Sequence, residues 1–400
     1  MTIILLHAVC TATFYYMGVD VLVTKKRLFE LHGWAGIICF IPFILICLTG
    51  SLLVFKAEID SVLLPNKSVV VPSSARLSED QLIQVVNEQL PGYELGSWEL
   101  LGENAEADRI YLVKKETNIW FKSYLNPYTG DVLSEPELLH HYFTDWLVQL
   151  HYTLLLNDIK GIDENLGTAF TSIFAILLVF LGVSGLIIYR RFWRRVFTLR
   201  LGFRAVVVVS DLHKLVGTLG SPVLLVLGIT GGYYNVSIYI HEWQEHQQTP
   251  DHHIMTTSLY NSELSVTGMV KSASNHILGF NTTYILFPTE PNESIILFGQ
   301  APTVNPLLSD YGSTVNFHAQ TGEYLGHYDI REQSFITILV DTFRKLHFGN
   351  FAGLFSKVVY AIVGLSPILL GGTGIYLWYF RRRKRIHQRN RPKLTSLSRI

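Results

Sequence analysis

Four histidines share one local pattern: His32, His151, His213 and His347 each follow a leucine, and each borders a long apolar stretch. An ionisable side chain at membrane depth costs free energy and by default points to function. Two imidazoles from different helices, on opposite sides of a plane, are what a six-coordinate haem iron needs, and nearby glycines leave room for a porphyrin. Four such histidines would therefore hold two haems. Headgroup anchoring would explain any one of them alone, but not two depth-matched pairs.

These residues need elements at fixed depths. The chain has 400 residues, 49% hydrophobic and only 16% charged, too apolar for an ordinary soluble protein. Four stretches, Gly33 to Phe55, Gly167 to Tyr189, Leu215 to Asn235 and Gly353 to Phe380, are long enough for a hydrocarbon core that takes ~20 helical residues. Lys25, Lys26 and Arg27 precede the first. Arg190, Arg191, Arg194, Arg195, Arg200 and Arg204 separate the second from the third, and Arg381, Arg382, Arg383, Lys384 and Arg385 follow the fourth. All three clusters fit the cytoplasmic side by the positive-inside rule, which puts the two long acidic segments outside the cytoplasm.

The chain reads as one helix–domain–helix unit written twice. The first helix opens Leu31-His32-Gly33 and ends Thr49-Gly50; the third opens Leu212-His213-Lys214 and ends Thr230-Gly231, with eighteen residues from His to Gly in both. Leu150-His151 and Leu346-His347 introduce the second and fourth helices, which carry Ser184-Gly185 and Thr373-Gly374 near their far ends. Thr129-Gly130 and Thr321-Gly322 read as matching hairpin turns in the outer segments. A capping box at Ser78 and Gln81 starts a helix over Leu82 to Leu90, with strands at Arg109 to Lys115 and Ile119 to Asn126. The second segment repeats this order, with a helix around Glu263 to Ile277 and strands near Thr283 to Pro288 and Ser294 to Gln300. Each outer segment should then fold as a helix on its own small antiparallel sheet.

The resulting division is an apolar segment 1–24, a first helix 25–55, a first outer domain 56–150 and a second helix with its outer lead-in 151–190. A basic loop 191–212, a third helix 213–235, a second outer domain 236–345, a fourth helix with lead-in 346–380 and a basic tail 381–400 follow. The apolar start is either a fifth helix or an overextended reading with translation beginning near Met17. Both units run from inside to outside, so an axis along the membrane normal relates them. That places His32 opposite His213 near the cytoplasmic surface and His151 opposite His347 near the outer one.

Weaker candidates lie elsewhere. His241 and His246, with His252 and His253 beyond, have metal-binding residue types, but five residues put the first two on different helix faces. Arg190, Arg191 and Lys214 suit haem propionates and suit positive-inside anchoring equally. His140 and His141 suit a headgroup or haem edge, while Trp98, Trp120 and Trp146 read as core or interfacial residues. The three cysteines, Cys10, Cys39 and Cys47, all lie in apolar N-terminal sequence, which excludes a disulfide framework and a cysteine metal site. Zero net charge gives no reason to expect nucleic acid, and there is no phosphate loop, dinucleotide fingerprint or nucleophile elbow.

Taken in order, the Leu-His openings, the Thr-Gly helix ends and the Thr-Gly turns over roughly residues 25–385 resemble the PepSY-associated transmembrane family. The resemblance implies a four-helix transmembrane bundle made of two parallel helix–domain–helix repeats, with two α+β PepSY-like periplasmic domains, in a bacterial inner membrane. It is similar to ferric-siderophore reductases that carry two haem b groups, which would make His32, His213, His151 and His347 axial ligands and a ferric siderophore the substrate. Some relatives carry a fused flavodoxin and reductase module that this sequence does not show, so a quinol, a separate flavoprotein and a soluble reductant all stay open as donor. The rival expectation is a membrane-anchored PepSY module that binds or regulates proteases without redox chemistry.

Overall fold

The computed structural model describes residues 24–72, 75–101, 105–159, 165–189, 197–247 and 254–389. The apolar N-terminal segment lies outside them, as do Arg190, Arg191, Arg194, Arg195, His252 and His253.

Helices α1 (Lys25–Ile38) and α2 (Phe40–Leu53) meet at a bend of 64°. Pro42 explains the bend, because it offers no N–H to the Ile38 carbonyl and its ring crowds that oxygen. Short helices α3 (Lys56–Leu63) and α4 (Pro65–Ser68) lead to α5 (Glu79–Gln89). Ser78 caps α5 reciprocally with Gln81, as the capping box predicts.

Strands β1 (Tyr93–Glu99), β2 (Asp108–Lys114), β3 (Trp120–Leu125) and β4 (Glu137–Leu138) follow, then α6 (Phe143–Thr153) and α7 (Leu166–Ile188). Helix α8 (Ala205–Gln247) is 43 residues long, about 64 Å at 1.5 Å per residue, and runs past both ends of the apolar stretch that marks it in the sequence. The second outer segment contributes α9 (Val266–His276), β5 (Asn281–Leu286), β6 (Ile295–Gln300), β7 (Ser313–Phe317) and β8 (Tyr324–Tyr328). Then come α10 (Phe335–Asp341), α11 (Phe343–Phe348), α12 (Gly353–Gly364) and α13 (Ser366–Arg389), with Pro367 just beyond the interruption at Leu365. Three helical stretches, Leu166–Ile188, Ala205–His241 and Gly353–Lys384, are long and apolar enough to cross a membrane, and the bent α1–α2 pair makes a fourth if it is one span.

The sequence predicts a separate small sheet for each outer segment, but the structure builds one. All eight strands pair antiparallel in the order β4-β3-β2-β1-β5-β6-β7-β8, joined where Trp98 of β1 faces Ile285 of β5. Each half alone would expose β1 or β5 as an unpaired edge, and joining them removes both edges. Trp98 and Ile285 are 187 residues apart, and the capping serines Ser78 and Ser265 share that offset, as do Asp80 and Thr267. Corresponding positions of the two halves therefore touch. The Asp80 N–H donates to Thr267 Oγ1 at 3.1 Å, the Thr267 N–H donates to Asp80 Oδ1 at 3.1 Å, and the Ser265 hydroxyl donates to Asp80 Oδ2 at 2.6 Å.

Strand alternation splits the sheet into two faces. Ile110, Leu112, Ile285, Ile295, Leu297 and Val315 turn toward α5 and α9, where Leu82, Val86, Val266 and Met269 complete a core. Each fully buried aliphatic side chain there contributes about 1.5–3 kcal/mol. The opposite face carries Glu99, Arg109, Lys122 and Tyr124 and meets the helical half through ion pairs. Lys122 pairs with Asp145 of α6, and Lys56 reaches Asp145 and Asp60 at 2.9 Å each. Thr144 donates to Asp60 at 2.5 Å. The charges are not shared evenly. Burial pushes the Lys122 ammonium down against the pull of Asp145, whereas burial at Asp145 is outweighed by Lys122 and Lys56, which hold its carboxyl below the usual range.

A depressed carboxyl stabilises the fold above its unfolded-state value, and that stability is lost as pH falls through the folded value. Asp145→Asn should therefore flatten the acid-side decline of the melting temperature below about pH 5. Lys122→Met, which leaves a buried carboxylate half-compensated, should destabilise by about 3–5 kcal/mol. Thermal melts of detergent-solubilised protein check both, and unchanged profiles would remove the network from the account.

Candidate functional site

The structure brings the four sequence-selected histidines together as two pairs. His32 of α1 and His213 of α8 have ring centroids 6.5 Å apart, and His151 of α6 and His347 of α11 have centroids 6.2 Å apart. Metal–imidazole nitrogen bonds are ~2 Å long and a ring centroid lies about 1.1 Å behind the nitrogen, so two imidazoles set in line on one metal ion have centroids about 6.3 Å apart. Both gaps fit one ion.

The lead-in helices stop just past their histidines. Leu154 and Leu155 take positive φ of 54° and 58° after α6, and Gly349 takes 68° after α11. These left-handed residues end the short helices. His151 and His347 thus sit on separate pieces crossing one end of the long helices.

One arrangement recurs at all four rings. Nδ1 of His32 lies 2.8 Å from Ser184 Oγ, and Nδ1 of His213 lies 2.8 Å from Thr373 Oγ1. Nδ1 of His347 lies 2.9 Å from Thr230 Oγ1, and Nδ1 of His151 lies 3.2 Å from Thr49 Oγ1 and 2.9 Å from the Ile46 carbonyl. The three threonines already give their hydroxyl protons to carbonyls of the preceding turn, Leu45, Val226 and Leu369, at 2.7 Å each, and Ser184 donates to Leu181 at 3.3 Å. With those protons committed, the hydroxyls accept, so each Nδ1 is the N–H donor and each Nε2 keeps its lone pair. That is the tautomer a metal ligand needs. Interhelical hydrogen bonds in membranes average ~0.6 kcal/mol, so these bonds orient the rings far more than they stabilise the fold.

A glycine follows every one of the four hydroxyl residues. A Cβ at Gly50 would meet His151 Cε1 at 2.8 Å, and one at Gly231 would meet His347 Cε1 at 2.9 Å. At Gly185 and Gly374 the corresponding distances to His32 and His213 are 3.4 and 3.5 Å. At the sheet-side pair the missing side chain is what admits the imidazole so close to the helix, whereas at Gly185 and Gly374 a Cβ would make ordinary contact with the ring.

Histidine and hydroxyl always come from the same repeat, while the facing ring comes from the other. Along α8, His213 marks one pair and Thr230 the other, seventeen residues and therefore about 26 Å apart. The pair at the basic end opens into a cavity of about 440 Å³ lined by His32, His213, Trp34, Trp378, Lys214 and Arg381. Lys214 lies 3.6 Å from Asp211, a buried carboxylate that Arg200 grips through two 2.8 Å bonds.

The remaining sequence candidates go elsewhere. His241 is exposed on α8, whereas the side chain of His246 is outside the described residues, so the pair's geometry is not on view. His140 lies 2.9 Å from Gln149 Nε2, and His141 lies 3.3 Å from Glu137. Trp98 is buried and donates to Asp108 at 2.8 Å, Trp120 packs over Gly96, and Trp146 stacks on Phe143. Among the described residues, no three His, Cys, Asp or Glu side chains gather as a metal-binding cluster. Sequence reasoning gave Thr49, Ser184, Thr230 and Thr373 no task. Their signal was the hydroxyl–glycine doublet repeated in all four apolar helices.

Residues 29–381 match the family described as PepSY-associated TM region, and the chain belongs to that family. No curated protein matches it.

The tautomer assignment is open to direct test. In protein labelled with ¹⁵N-histidine, the ring shifts of the four should report protonated Nδ1 and bare Nε2. Thr230→Val, which removes the acceptor, should move His347 to a tautomer mixture while leaving His32 and His213 unchanged; an unaltered His347 spectrum would refute the role given to the hydroxyl.

Proposed function

We propose that this PepSY-associated membrane protein is a two-haem electron carrier that reduces a ferric chelate on the side of the sheet. The observation that carries the reading is the fourfold arrangement of imidazole, hydroxyl and glycine, in two pairs whose ring centroids are 6.5 and 6.2 Å apart. The donor set suits haem: neutral imidazoles, fixed in the ligating tautomer, with a side-chain-free strip of helix beside each ring. His32 with His213 and His151 with His347 would be the axial ligands, and haems bound there would supply one-electron chemistry at both ends of the helices.

The protein's own residues do the positioning. In this reading the helices are a four-span bundle of two parallel repeats, and the basic clusters favour a cytoplasmic His32–His213 end with the sheet in the periplasm. Lys214 and Arg381 line the cavity at the basic end, where cationic groups suit carboxylate-bearing edges. Each ferric ion takes one electron. Reduction weakens its hold on hard oxygen chelators, so the ligand can release ferrous iron. The ferric siderophore is the substrate, and electrons come from a donor at the basic end.

Oxidised and dithionite-reduced spectra of the purified protein should show sharp reduced b-type bands with two haems per chain. His347→Ala should lower this to one and abolish reduction of a ferric chelate, and Gly231→Ala should partly mimic it. Colourless protein from haem-replete cells would exclude the reading and favour a binding or regulatory module.

A further inference from the structure

The two repeats differ one helical turn before their sheet-side histidines. Three residues ahead of His151 stands Val148; three ahead of His347 stands Arg344. Arg344 is exposed on α11, and its guanidinium carbon lies 4.4 Å from the centre of the Tyr311 ring and 5.2 Å from that of Phe348. Phe348 in turn meets His347 edge to face, with centroids 6.1 Å apart.

The Tyr311 ring is tied in place. Tyr311 donates its hydroxyl to Glu99 at 2.7 Å, and Glu99 is held by Arg109 at 3.1 Å. Burial and the Glu99 carboxylate both push the Tyr311 phenol up, so it stays a donor. Phe348 is the last residue of α11 before the left-handed Gly349. The guanidinium thus lies over two aromatic faces, of which that of Tyr311 is held in place. Among the described residues it forms no ion pair with a carboxylate, whereas the adjacent Lys345 is paired with Asp310 at 2.8 Å. Stacking occupies the faces of a guanidinium and leaves its edge, with its fork of N–H donors, available for a planar pair of oxygens.

We propose that Arg344 is an oxyanion-recognition site serving the His151–His347 end, and that the anion it reads is the oxygen-rich ligand shell of a negatively charged metal chelate. The proposal rests on the ferric-chelate reading and deepens it: a chelate held by Arg344 lies one helical turn and one aromatic ring from His347. Chelates with anionic oxygens, such as catecholates and carboxylates, would be preferred over neutral ones. The aliphatic Val148 gives the first repeat no counterpart to this donor, so the substrate docks off the pseudo-symmetry axis.

The test uses redox-inert gallium(III), so it does not depend on electron transfer. Full-length protein in neutral-lipid nanodiscs is titrated calorimetrically with trianionic gallium tris-catecholate and with a neutral gallium tris-hydroxamate. Arg344→Gln should weaken the anionic complex at least tenfold and leave the neutral one unchanged. Arg344→Lys should recover only part of the loss, because it keeps charge without the planar fork. Equal binding of the anionic complex by wild type and Arg344→Gln would overturn the proposal. So would native mass spectrometry in which Arg344→Gln loses a co-purified phospholipid, or pigment analysis in which it loses a haem, since those results give the guanidinium to a headgroup phosphate or a propionate. A colourless wild type that still binds the anionic gallium complex through Arg344 would sink the two-haem reading and spare the site.

Discussion

An imidazole inside an apolar bundle must satisfy one ring nitrogen without a charge and still point the other at its target. The protein meets that constraint with a hydroxyl whose own proton is already bonded to the preceding turn. A carboxylate in that position would orient the ring equally well, but would bring a charge that the bilayer penalises. At Gly50 and Gly231 the following glycine completes the device, because a Cβ there would collide with the ring. Since ring and hydroxyl belong to one repeat, each half of the chain prepares two imidazoles by itself. Their pairing is left to the contact between halves.

That contact is fixed at the sheet. At the sheet, β1 pairs with β5 and the two helix caps meet through Asp80, Ser265 and Thr267, so the halves cannot slide without breaking backbone pairing. Between sheet and helices, Asp145 ties α6 to Lys122 of β3 and Lys56 of α3, and in the second half Asp341 accepts the Ser309 N–H at 2.8 Å. Asp145 and Asp341 each stand six residues before a sheet-side histidine. The sheet thus acts as a frame that sets where His151 and His347 arrive, and a centroid separation of 6.2 Å depends on it.

Much of this was legible in the sequence because duplication repeats local signals. The Leu-His openings, the capping box at Ser78, the Thr-Gly turns at Gly130 and Gly322 with φ of 80° and 71°, and the long apolar stretches all depend on neighbours close in the chain. What escaped depends on distant partners. Nothing within β1 says that its free edge will meet β5, and hydropathy marks where α8 is apolar, not where its helix ends. The hydroxyl–glycine doublets were visible as helix-end motifs, yet their meaning required knowing that Thr49 lies against His151, 102 residues away. The outer histidine string around His246 was legible as residue types only.

Duplication alone yields two equivalent sides about the repeat axis, and recognition of an asymmetric partner needs that equivalence broken. The breaks are local and chemical. Pro42 bends the first span by 64°, while Pro222 sits inside an unbroken α8. Asp145 is paired with two lysines, whereas Asp341 accepts a backbone N–H from Ser309 and burial raises its carboxyl. Arg344 stands where the matching turn of the first repeat has a valine, Val148. The paired imidazoles therefore follow from what the halves share, while recognition at either end must come from where they have diverged. A symmetric pair of ligands sets what the centre can bind; the asymmetric residues around it set what the centre can meet.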